Sequence, residues 1–495
     1  MSTDAAAAAF RVLCSPFLVA DVFAFMPGRP FHAWVDGDVA VSCGHLALCL
    51  LHSKLTFSKR AIDFAARRGH VSMVHWLLQH RIGTVSFMTW DFAARGGHLA
   101  VLQGLHAHAP SVGKSANALD WAAAFGHEEM VDWLLTAMPE SMMTALALTE
   151  ASKQGHLAIV RRLHATGRAT CTTSAMDAAS SNGHLEVVQF LHLHRTEGCT
   201  TDAMDLASAH GHVEVVQFLF TNRSVDVCHM FTNQRHHIRT EGGTSQAIDG
   251  AAAHGHLTLV HYLHEVVGLP LPTAAQTLDR AAQNGHIEMV RFLHHVGCAA
   301  STEGMDAAAA HGHLDIVRFL HLNRRDGCTH AAMDQAAAHG HQPILEFLHL
   351  HRTEGCSVAA MNDAATNGHL TIVQWLHTHR TEGATTQAMD GAAAHGHLNV
   401  LEWLHQHRSE GGTTRAMDYA ALHGHLDVVT WLETYRPEMG CTTWAMDWAA
   451  AKGHVDIVSF LHHHRREGGT ARAREWAEAN RHADVVAYLI THAGM

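Results

Sequence analysis

Residues 200–219 read TTDAMDLASAHGHVEVVQFL, and versions of this stretch recur along most of the 495-residue chain. The Gly-His pair inside it is the easiest mark to follow. Its glycines lie at positions 44, 69, 97, 126, 155, 183, 211, 255, 285, 312, 340, 368, 396, 424 and 453, and a worn last copy reads Arg481-His482. Most intervals are 28 or 29 residues, with one of 44 between Gly211 and Gly255. A fixed period in this range predicts a solenoid of stacked units.

Each copy of the stretch predicts two short helices. Thr200 or Thr201 can cap the first helix by accepting hydrogen bonds from its unpaired backbone N–H groups. We expect Asp205 in the first turn, where the helix dipole favours a carboxylate. Gly211 ends this helix, because glycine readily adopts a positive φ. The apolar residues within 213–219 then form the buried stripe of a second helix. Neither helix buries its apolar face alone, so the units must stack.

The unit resembles an ankyrin repeat, whose pattern is T-P-L-H-x-A-A-x-x-G-H-x-x-V-V-x-L-L. Residues 203–212 align with this pattern from its second letter onward, with alanine in place of proline. Two departures stand out. The repeat is about five residues shorter than the family's 33, with the loss in the finger loop, and aspartate replaces the histidine of the first helix in most copies. The resemblance implies an all-α, ankyrin-type helical-repeat solenoid of about 15–16 helix–turn–helix units with shortened fingers.

The predicted domain organisation is an N-terminal segment followed by the solenoid. Residues 1–33 do not fit the repeat. Residues 13–27 resemble the first helix of an F-box, a module that recruits the adaptor of cullin-type ubiquitin ligases; the alternative is an apolar helix that caps the open end of the solenoid. The solenoid is expected over 34–495, with an insert at 221–237 that is either a surface loop or a retained intron. Residues 471–495 are polar enough for a C-terminal cap.

The charge balance and cysteine usage limit the partners and the compartment. The chain has 34 basic against 46 acidic residues, which argues against nucleic-acid binding because phosphate recognition needs clustered cations. We find neither a signal peptide nor an apolar run long enough to span a bilayer, so no membrane association is expected. The ten cysteines lack C-x-x-C pairs and are expected to be reduced thiols. The predicted location is the cytoplasm, with the nucleus left open.

The fifty histidines fall mainly into three classes. In the ankyrin family, the histidine of the Gly-His pair hydrogen-bonds between units, and we expect the same structural role here. A second class follows a leucine near the end of the second helix, where the helix dipole is expected to favour the protonated imidazole. A third class precedes the glycine, at a helix end that looks onto the concave groove in ankyrin folds; the alternative is that histidine is simply tolerated there.

These histidines predict neither a metal site nor an active site. A structural zinc ion needs three or four ligands around one point, whereas equivalent residues of stacked helices are expected about 8–10 Å apart. The Asp and His of each unit repeat along the chain without a unique nucleophile, and no phosphate-binding loop or H-E-x-x-H motif occurs. We therefore expect no catalytic residue, no cofactor, no metal and no enzymatic activity.

The sequence thus predicts a non-enzymatic scaffold, a monomer that binds partner proteins of unknown identity along the concave face. The candidate contact residues precede the glycines or are aromatic residues on the same helices, because interfaces favour aromatic anchors. They are Phe125, His210, His254, His311, His339, His395 and His423, with Trp121, Tyr419 and Trp448. A Trp beside the Ala-Ala step can equally be core. The alternative function is substrate recognition for a cullin-type ubiquitin ligase, with residues 13–27 engaging the adaptor.

Overall fold

The computed structural model describes residues 36–108, 115, 117–137, 144–167, 170–222 and 243–493. In these ranges the chain forms thirty-two α-helices in sixteen successive pairs. The same ranges contain no strand, only an isolated bridge between Asp36 and Thr56. The predicted all-α helical-repeat class is therefore confirmed.

The two helices of each pair are named here in chain order. The first helices are α1 (Gly37–Ser42), α3 (Ala61–Arg68), α5 (Phe87–Arg95), α7 (Asn117–Ala124), α9 (Ala145–Lys153), α11 (Thr173–Ser181), α13 (Thr201–Ala209), α15 (Ser245–Ala253), α17 (Ala275–Gln283), α19 (Thr302–Ala310), α21 (His330–Ala338), α23 (Val358–Thr366), α25 (Thr386–Ala394), α27 (Thr414–His423), α29 (Thr443–Lys452) and α31 (Ala471–Ala479). The second helices are α2 (Leu46–Leu51), α4 (Val71–Gln79), α6 (Leu99–His108), α8 (Glu128–Ala137), α10 (Leu157–Ala165), α12 (Leu185–His194), α14 (Val213–Asn222), α16 (Leu257–Glu265), α18 (Ile287–His295), α20 (Leu314–Asn323), α22 (Gln342–His351), α24 (Leu370–His379), α26 (Leu398–His407), α28 (Leu426–Tyr435), α30 (Val455–His464) and α32 (Ala483–Tyr488).

The chain divides into two compact units, one of residues 1–250 and 265–269 and one of residues 251–264 and 270–495. In the first unit, successive first helices from α1 to α13 pack side by side. In the second unit, the first helices from α17 to α31 do the same. From α1 to α14 and from α17 to α32, each second helix packs on the first helix of its own pair, so each unit contains a stack of helix pairs, as in a solenoid.

The core of a pair shows why these residues form stacked helices. In α13, Ala203, Met204 and Ala207 are buried, and the small alanine side chains let the neighbouring first helices approach closely. In α14, Val215 and Leu219 are buried on one stripe, four residues apart and hence on one helix face. The predicted amphipathic second helix is confirmed.

A repeated hydrogen-bond pattern joins adjacent pairs, and Asp205 illustrates it. The expectation that Asp205 lies in the first turn is wrong, because α13 begins at Thr201 and its first-turn carboxylate is Asp202. Asp205 instead accepts hydrogen bonds from the backbone N–H and the hydroxyl of Thr244, at 2.8 and 2.7 Å. The Thr244 hydroxyl oxygen also accepts from the N–H of Gln246 at the start of α15. We call this arrangement the Asp–Thr bracket.

The bracket recurs along both units. In each case an aspartate of a first helix accepts from the backbone N–H and the hydroxyl of the Thr or Ser that precedes the next first helix. The pairs are Asp177–Thr200, Asp205–Thr244, Asp279–Ser301, Asp306–Thr329, Asp334–Ser357, Asp390–Thr413, Asp418–Thr442 and Asp447–Thr470. Asn362 replaces the aspartate once and still accepts from the Thr385 N–H at 2.9 Å. A carboxylate suits this position because it accepts both hydrogen bonds.

The Gly-His pair forms a second joint between adjacent helix pairs. Gly312 has a φ of +85°, and a Cβ atom there would lie 2.8 Å from Cε1 of His341 in the next pair. Glycine is needed both for its backbone conformation and for the space it leaves. The histidine Nε2–H donates to a carbonyl at the end of the preceding first helix, as from His313 to Gln283 at 3.1 Å. It satisfies a carbonyl that has no partner within its own helix. The expected hydrogen bond between adjacent helix pairs is confirmed.

The loops between pairs are short and carry their own ion pairs. Between α22 and α23 the loop spans only residues 352–357, and Arg352 pairs with Glu354 inside it. The projecting fingers are therefore reduced to stubs, as predicted. Burial raises the pKa of the Cys328 and Cys356 thiols to about 11. The eight cysteines in the part of the chain that the structure describes are thiols.

Several predicted segments lie at the limits of the described residues. Residues 1–33 lie outside them, so both the cap and the F-box interpretation stay predictions. Of the insert expected at 221–237, only residues 221 and 222 are described, and they are the last residues of α14. At the other end, Glu475 occupies the bracket position of α31 and is exposed, whereas Asp447 in α29 is buried. The assignment of 471–495 as a cap also stays a prediction.

Replacing Asp334 tests the bracket. We expect Asp334→Ala to destabilise the second unit by about 2 kcal/mol, because it removes two hydrogen bonds to a charged group and leaves the Ser357 N–H without its acceptor. Asp334→Asn should cost less than half of that, since Asn362 occupies the same position naturally. The measurement is denaturant unfolding combined with amide hydrogen exchange of α21 to α24. The exposed Gln335→Ala is the control, and a loss as large as that of Asp334→Ala would contradict the bracket.

Two glycine substitutions separate backbone strain from crowding at the Gly-His joint. Gly297 has a φ of +80° and no atom within 4 Å of a Cβ placed there, whereas Gly312 meets the His341 ring. We expect Gly297→Ala to cost about 1 kcal/mol from the left-handed backbone and Gly312→Ala about 3 kcal/mol, because overpacking adds to the strain. Equal losses in urea-unfolding midpoint would show that the histidine contact is unimportant.

Candidate functional site

The exposed side of the first helices is built from three positions in each helix. They lie three residues before, one residue after and five residues after the bracket aspartate. In α27 they are Arg415, Tyr419 and His423, all exposed, whereas Asp418 between them is buried. We call these the groove positions, because Tyr419 and His423 line a shared groove with His395 of α25. The buried residues of α27 are Ala416, Met417, Asp418, Ala420 and Ala421, so its three exposed groove positions are available for contact with other molecules.

The histidines that precede the glycines occupy the last of these positions. All six are exposed: His210, His254, His311, His339, His395 and His423. The His339 Nδ1–H donates to the Gln335 carbonyl at 2.9 Å, and its ring lies 6.3 Å from the ring of His341 in the Gly-His pair. His395 and His423 of adjacent helices stack with centroids 6.4 Å apart. The helix and the joint histidine thus fix how these imidazoles are presented.

An aromatic cluster lies on the groove positions of the first unit. The rings of Trp121 and Phe125 are 6.1 Å apart, and their side chains are 38% and 46% exposed. The guanidinium of Arg95 lies 5.3 Å from the Trp121 ring and 5.4 Å from the Phe125 ring. These are cation–π distances. Both predicted residues therefore belong to one surface cluster, and its arginine was missed because it comes from the neighbouring helix.

A longer aromatic cluster lies on α27, α29 and α31. Tyr419 stacks on Trp448 at 5.6 Å, Trp448 lies 5.0 Å from Trp444, and Trp444 stacks on Trp476 at 6.1 Å. We call these four residues the C-terminal aromatic strip. Trp448 is half-exposed and Tyr419 exposed, so the alternative that the predicted aromatic residues belong to the core is wrong. The sequence analysis did not select Trp444 and Trp476. Their spacing could have identified them, because Trp444 lies three residues before Asp447 and Trp476 one residue after Glu475.

The histidines at the end of the second helices belong to the scaffold. His321 packs edge-on against Phe347 of the next pair at 5.5 Å, and His349 packs in the same way against Trp375. Burial lowers the pKa of His164, His192 and His321. Elsewhere the Arg436 Nε–H donates to Nδ1 of His405 at 2.6 Å, which requires an unprotonated Nδ1. For His164, His192 and His321, the expectation that the helix dipole favours the protonated imidazole is wrong, because burial lowers their pKa values.

No group of three or more His, Cys, Asp and Glu side chains in the described ranges is placed to hold a metal ion. No helix among the described residues is long and apolar enough to cross a membrane.

Burial of the histidines leads to a pH dependence of stability. We expect the melting temperature to fall by about 5 °C or more between pH 7.5 and pH 5.5. Because their pKa values are lowered in the folded chain, the unfolded chain binds more protons in this window. The contribution of these histidines to the free energy of unfolding is complete above about pH 6.5, the ordinary histidine pKa. It is lost as the pH falls through their lowered pKa values. Burial lowers the pKa of His98, His164, His192, His286, His321, His341, His397 and His425.

The aspartates oppose this effect only at lower pH. Burial raises the pKa of Asp177 and Asp418 above the ordinary aspartate value, so their contribution grows as the pH falls toward that value, about 3.9. The measurement is thermal unfolding at pH 5.5, 6.5 and 7.5, for the wild-type chain and for His321→Gln beside the exposed control His423→Gln. A flat melting temperature, or a pH slope that His423→Gln reduces more than His321→Gln, would contradict the assignment.

Comparison with known proteins agrees with this geometry. A family model described as ankyrin repeats (many copies) matches residues 305–349 and 389–433. A second model, ankyrin repeats (3 copies), matches residues 148–231. Among curated protein sequences, none matches the chain.

One similar solved structure is that of the pentatricopeptide repeat protein PPR10 from maize. The alignment covers 100% of this chain and 84% of that chain, at 13% sequence identity and a TM-score of 0.32. That score is too low to carry an argument, so the assignment rests on the family models and on the repeated helix pairs. The matched segments, residues 148–231, 305–349 and 389–433, are similar to ankyrin repeats.

Proposed function

We propose that the chain is a non-enzymatic scaffold that binds partner proteins through the groove positions of its first helices. The observation that carries this proposal is the display of aromatic rings at these positions. Trp121 and Phe125 in the first unit, and Tyr419 and Trp444 in the second, are each at least 36% exposed. Large apolar side chains grouped on one face of a protein mark an interaction site, and aromatic residues dominate the energetics of such sites.

The scaffold beneath these residues supports the same proposal. The Asp–Thr bracket ties first helices to their successors at eight junctions in the described part of the chain, and the Gly-His joint links the end of a first helix to the following pair, as between Gly312 and His341. A side chain on such a helix is held in place before a partner arrives, so less conformational entropy is lost on binding. Arg95 is likewise held over the rings of Trp121 and Phe125.

The polar groups that resemble catalytic pairs are engaged in structure. The aspartate of each bracket accepts from the next Thr or Ser, as Asp306 does from Thr329. The Gly-His histidines pack against glycines of the preceding pair, as His341 does against Gly312. The Asp and His of one repeat therefore act at different joints, which favours an interaction role over an acid–base site. We further propose that the scaffold acts as a monomer in the cytoplasm. The ligase alternative rests on residues 13–27, outside the described residues, and is not proposed.

Quantitative affinity purification tests the role of the groove. The full chain is compared with a variant that carries Trp121→Ala, Phe125→Ala, Tyr419→Ala and Trp448→Ala, and captured proteins are measured by mass spectrometry. We expect specific partners to fall at least tenfold, because hot-spot aromatic residues contribute about 2 kcal/mol or more each.

The matched control removes exposed apolar residues from the second helices. Leu322 and Leu350 are 77% and 74% exposed, so Leu322→Ala with Leu350→Ala removes comparable surface away from the groove positions. Circular dichroism and melting temperature verify that both variants are folded. Partner capture that survives the groove substitutions but falls with the control would overturn the proposal.

A further inference from the structure

The groove positions of the last three first helices combine aromatic rings with positive charge. Besides the C-terminal aromatic strip, these positions hold Arg415 in α27, Lys452 in α29 and Arg472 in α31, all exposed. The Arg472 guanidinium lies 5.4 Å from the Trp444 ring and 6.0 Å from the Trp476 ring. An arginine that stacks on rings keeps its N–H edge available for a carboxylate.

None of these three cations is neutralised in the part of the chain that the structure describes. No carboxylate there lies within ion-pair distance of Arg415, Lys452 or Arg472. Two carboxylates of the same helices have other partners: Asp418 and Asp447 accept from Thr442 and Thr470 in brackets. On α31, Glu478 accepts from Arg474 at 2.6 Å. In these ranges the strip therefore carries three cations without an ion-pair partner, on a chain with a net charge of −12.

We propose that the C-terminal aromatic strip, with Arg415, Lys452 and Arg472, binds a short acidic peptide segment of a partner protein. The carboxylates of that segment would pair with the two guanidinium groups, which bind carboxylates in a bidentate manner. Its aliphatic side chains would pack on the exposed side chains of Tyr419 and Trp444. This inference rests on the proposed function and adds the chemistry of the partner.

The neighbouring charges limit the length of the segment. Asp363 lines the groove on the α25 side of Arg415, and Glu475 is exposed on α31. Three adjacent first helices, about 8–10 Å apart, span roughly 16–20 Å. An extended chain rises about 3.3 Å per residue, so about six residues cover the strip. A longer polyanion such as a nucleic acid would meet these carboxylates at both ends, which favours a short acidic peptide.

The test measures peptide binding to the full chain by fluorescence anisotropy. The probes are a labelled ten-residue peptide that alternates glutamate and leucine, its glutamine–leucine counterpart, and a ten-nucleotide oligothymidylate. We expect the acidic peptide to bind at least tenfold more tightly than the glutamine peptide at 50 mM salt, and to weaken at 300 mM salt because the charges become screened. Equal binding of the two peptides would overturn the proposal, as would tenfold tighter binding of the oligonucleotide.

Charge-removing variants locate the site. Arg415→Gln with Arg472→Gln should weaken the acidic peptide at least tenfold, and Trp444→Ala should weaken it severalfold. Arg466→Gln is the matched control, because Arg466 is an exposed arginine in the loop between α30 and α31, and it should change the affinity less than twofold. An equal loss with Arg466→Gln would show nonspecific attraction and overturn the proposal.

The result is separable from the test of the proposed function. If partner capture depends on the groove aromatic residues while the acidic peptide does not bind, the acidic chemistry is wrong and the scaffold proposal stands. If the acidic peptide binds through Arg415 and Arg472 while partner capture ignores the groove substitutions, the strip is a peptide site and the broader scaffold proposal fails.

Discussion

The bracket between the aspartate of one first helix and the Thr or Ser that caps the next is the interaction on which the rest of this structure depends. A helix of about nine residues is too short to be stable alone, so each helix needs contacts that fix its neighbours. The Asp334 carboxylate accepts both the N–H and the hydroxyl of Ser357, and the hydroxyl oxygen then accepts from the N–H of Ala359. One buried carboxylate thereby sets both the spacing of two helices and the start of the second.

The Gly-His joint completes this constraint at the other end of the first helix. The glycine gives the chain its left-handed turn, and the missing Cβ leaves space for the histidine of the next pair. That histidine donates to a helix-end carbonyl, as His70 does to Ser42 and His127 to Arg95. Two classes of histidine thus have structural roles. The Gly-His histidines join adjacent helix pairs, and the histidines near the end of the second helices pack against aromatic rings of the next second helix.

The binding surface that we propose is built from the groove positions, which neither joint uses. The groove positions change identity along the chain while the bracket is retained, from Asp202 and Leu206 in α13 to Arg415 and Tyr419 in α27. Substitution at a groove position alters the proposed binding surface without removing a bracket or Gly-His hydrogen bond between adjacent helix pairs. The aspartate and the histidine of one repeat also have different partners, since Asp306 accepts from Thr329 and His313 donates to Gln283. Each of them is committed to a different neighbour, and the surface available to partners is built from other residues.

The sequence by itself determined the repeat, the two helices of each pair, the stub fingers and the groove positions of His210 to His423 and of Trp121 and Tyr419, because each is a local pattern of period, glycine and polarity. It did not reveal the partner of Asp205, which lies 39 residues away in Thr244, or the burial that lowers the pKa of His321. It also missed Arg95, Trp444 and Trp476. These features depend on which side chain of the next helix pair comes within hydrogen-bonding or stacking distance. Only the packing of one helix pair on the next decides that.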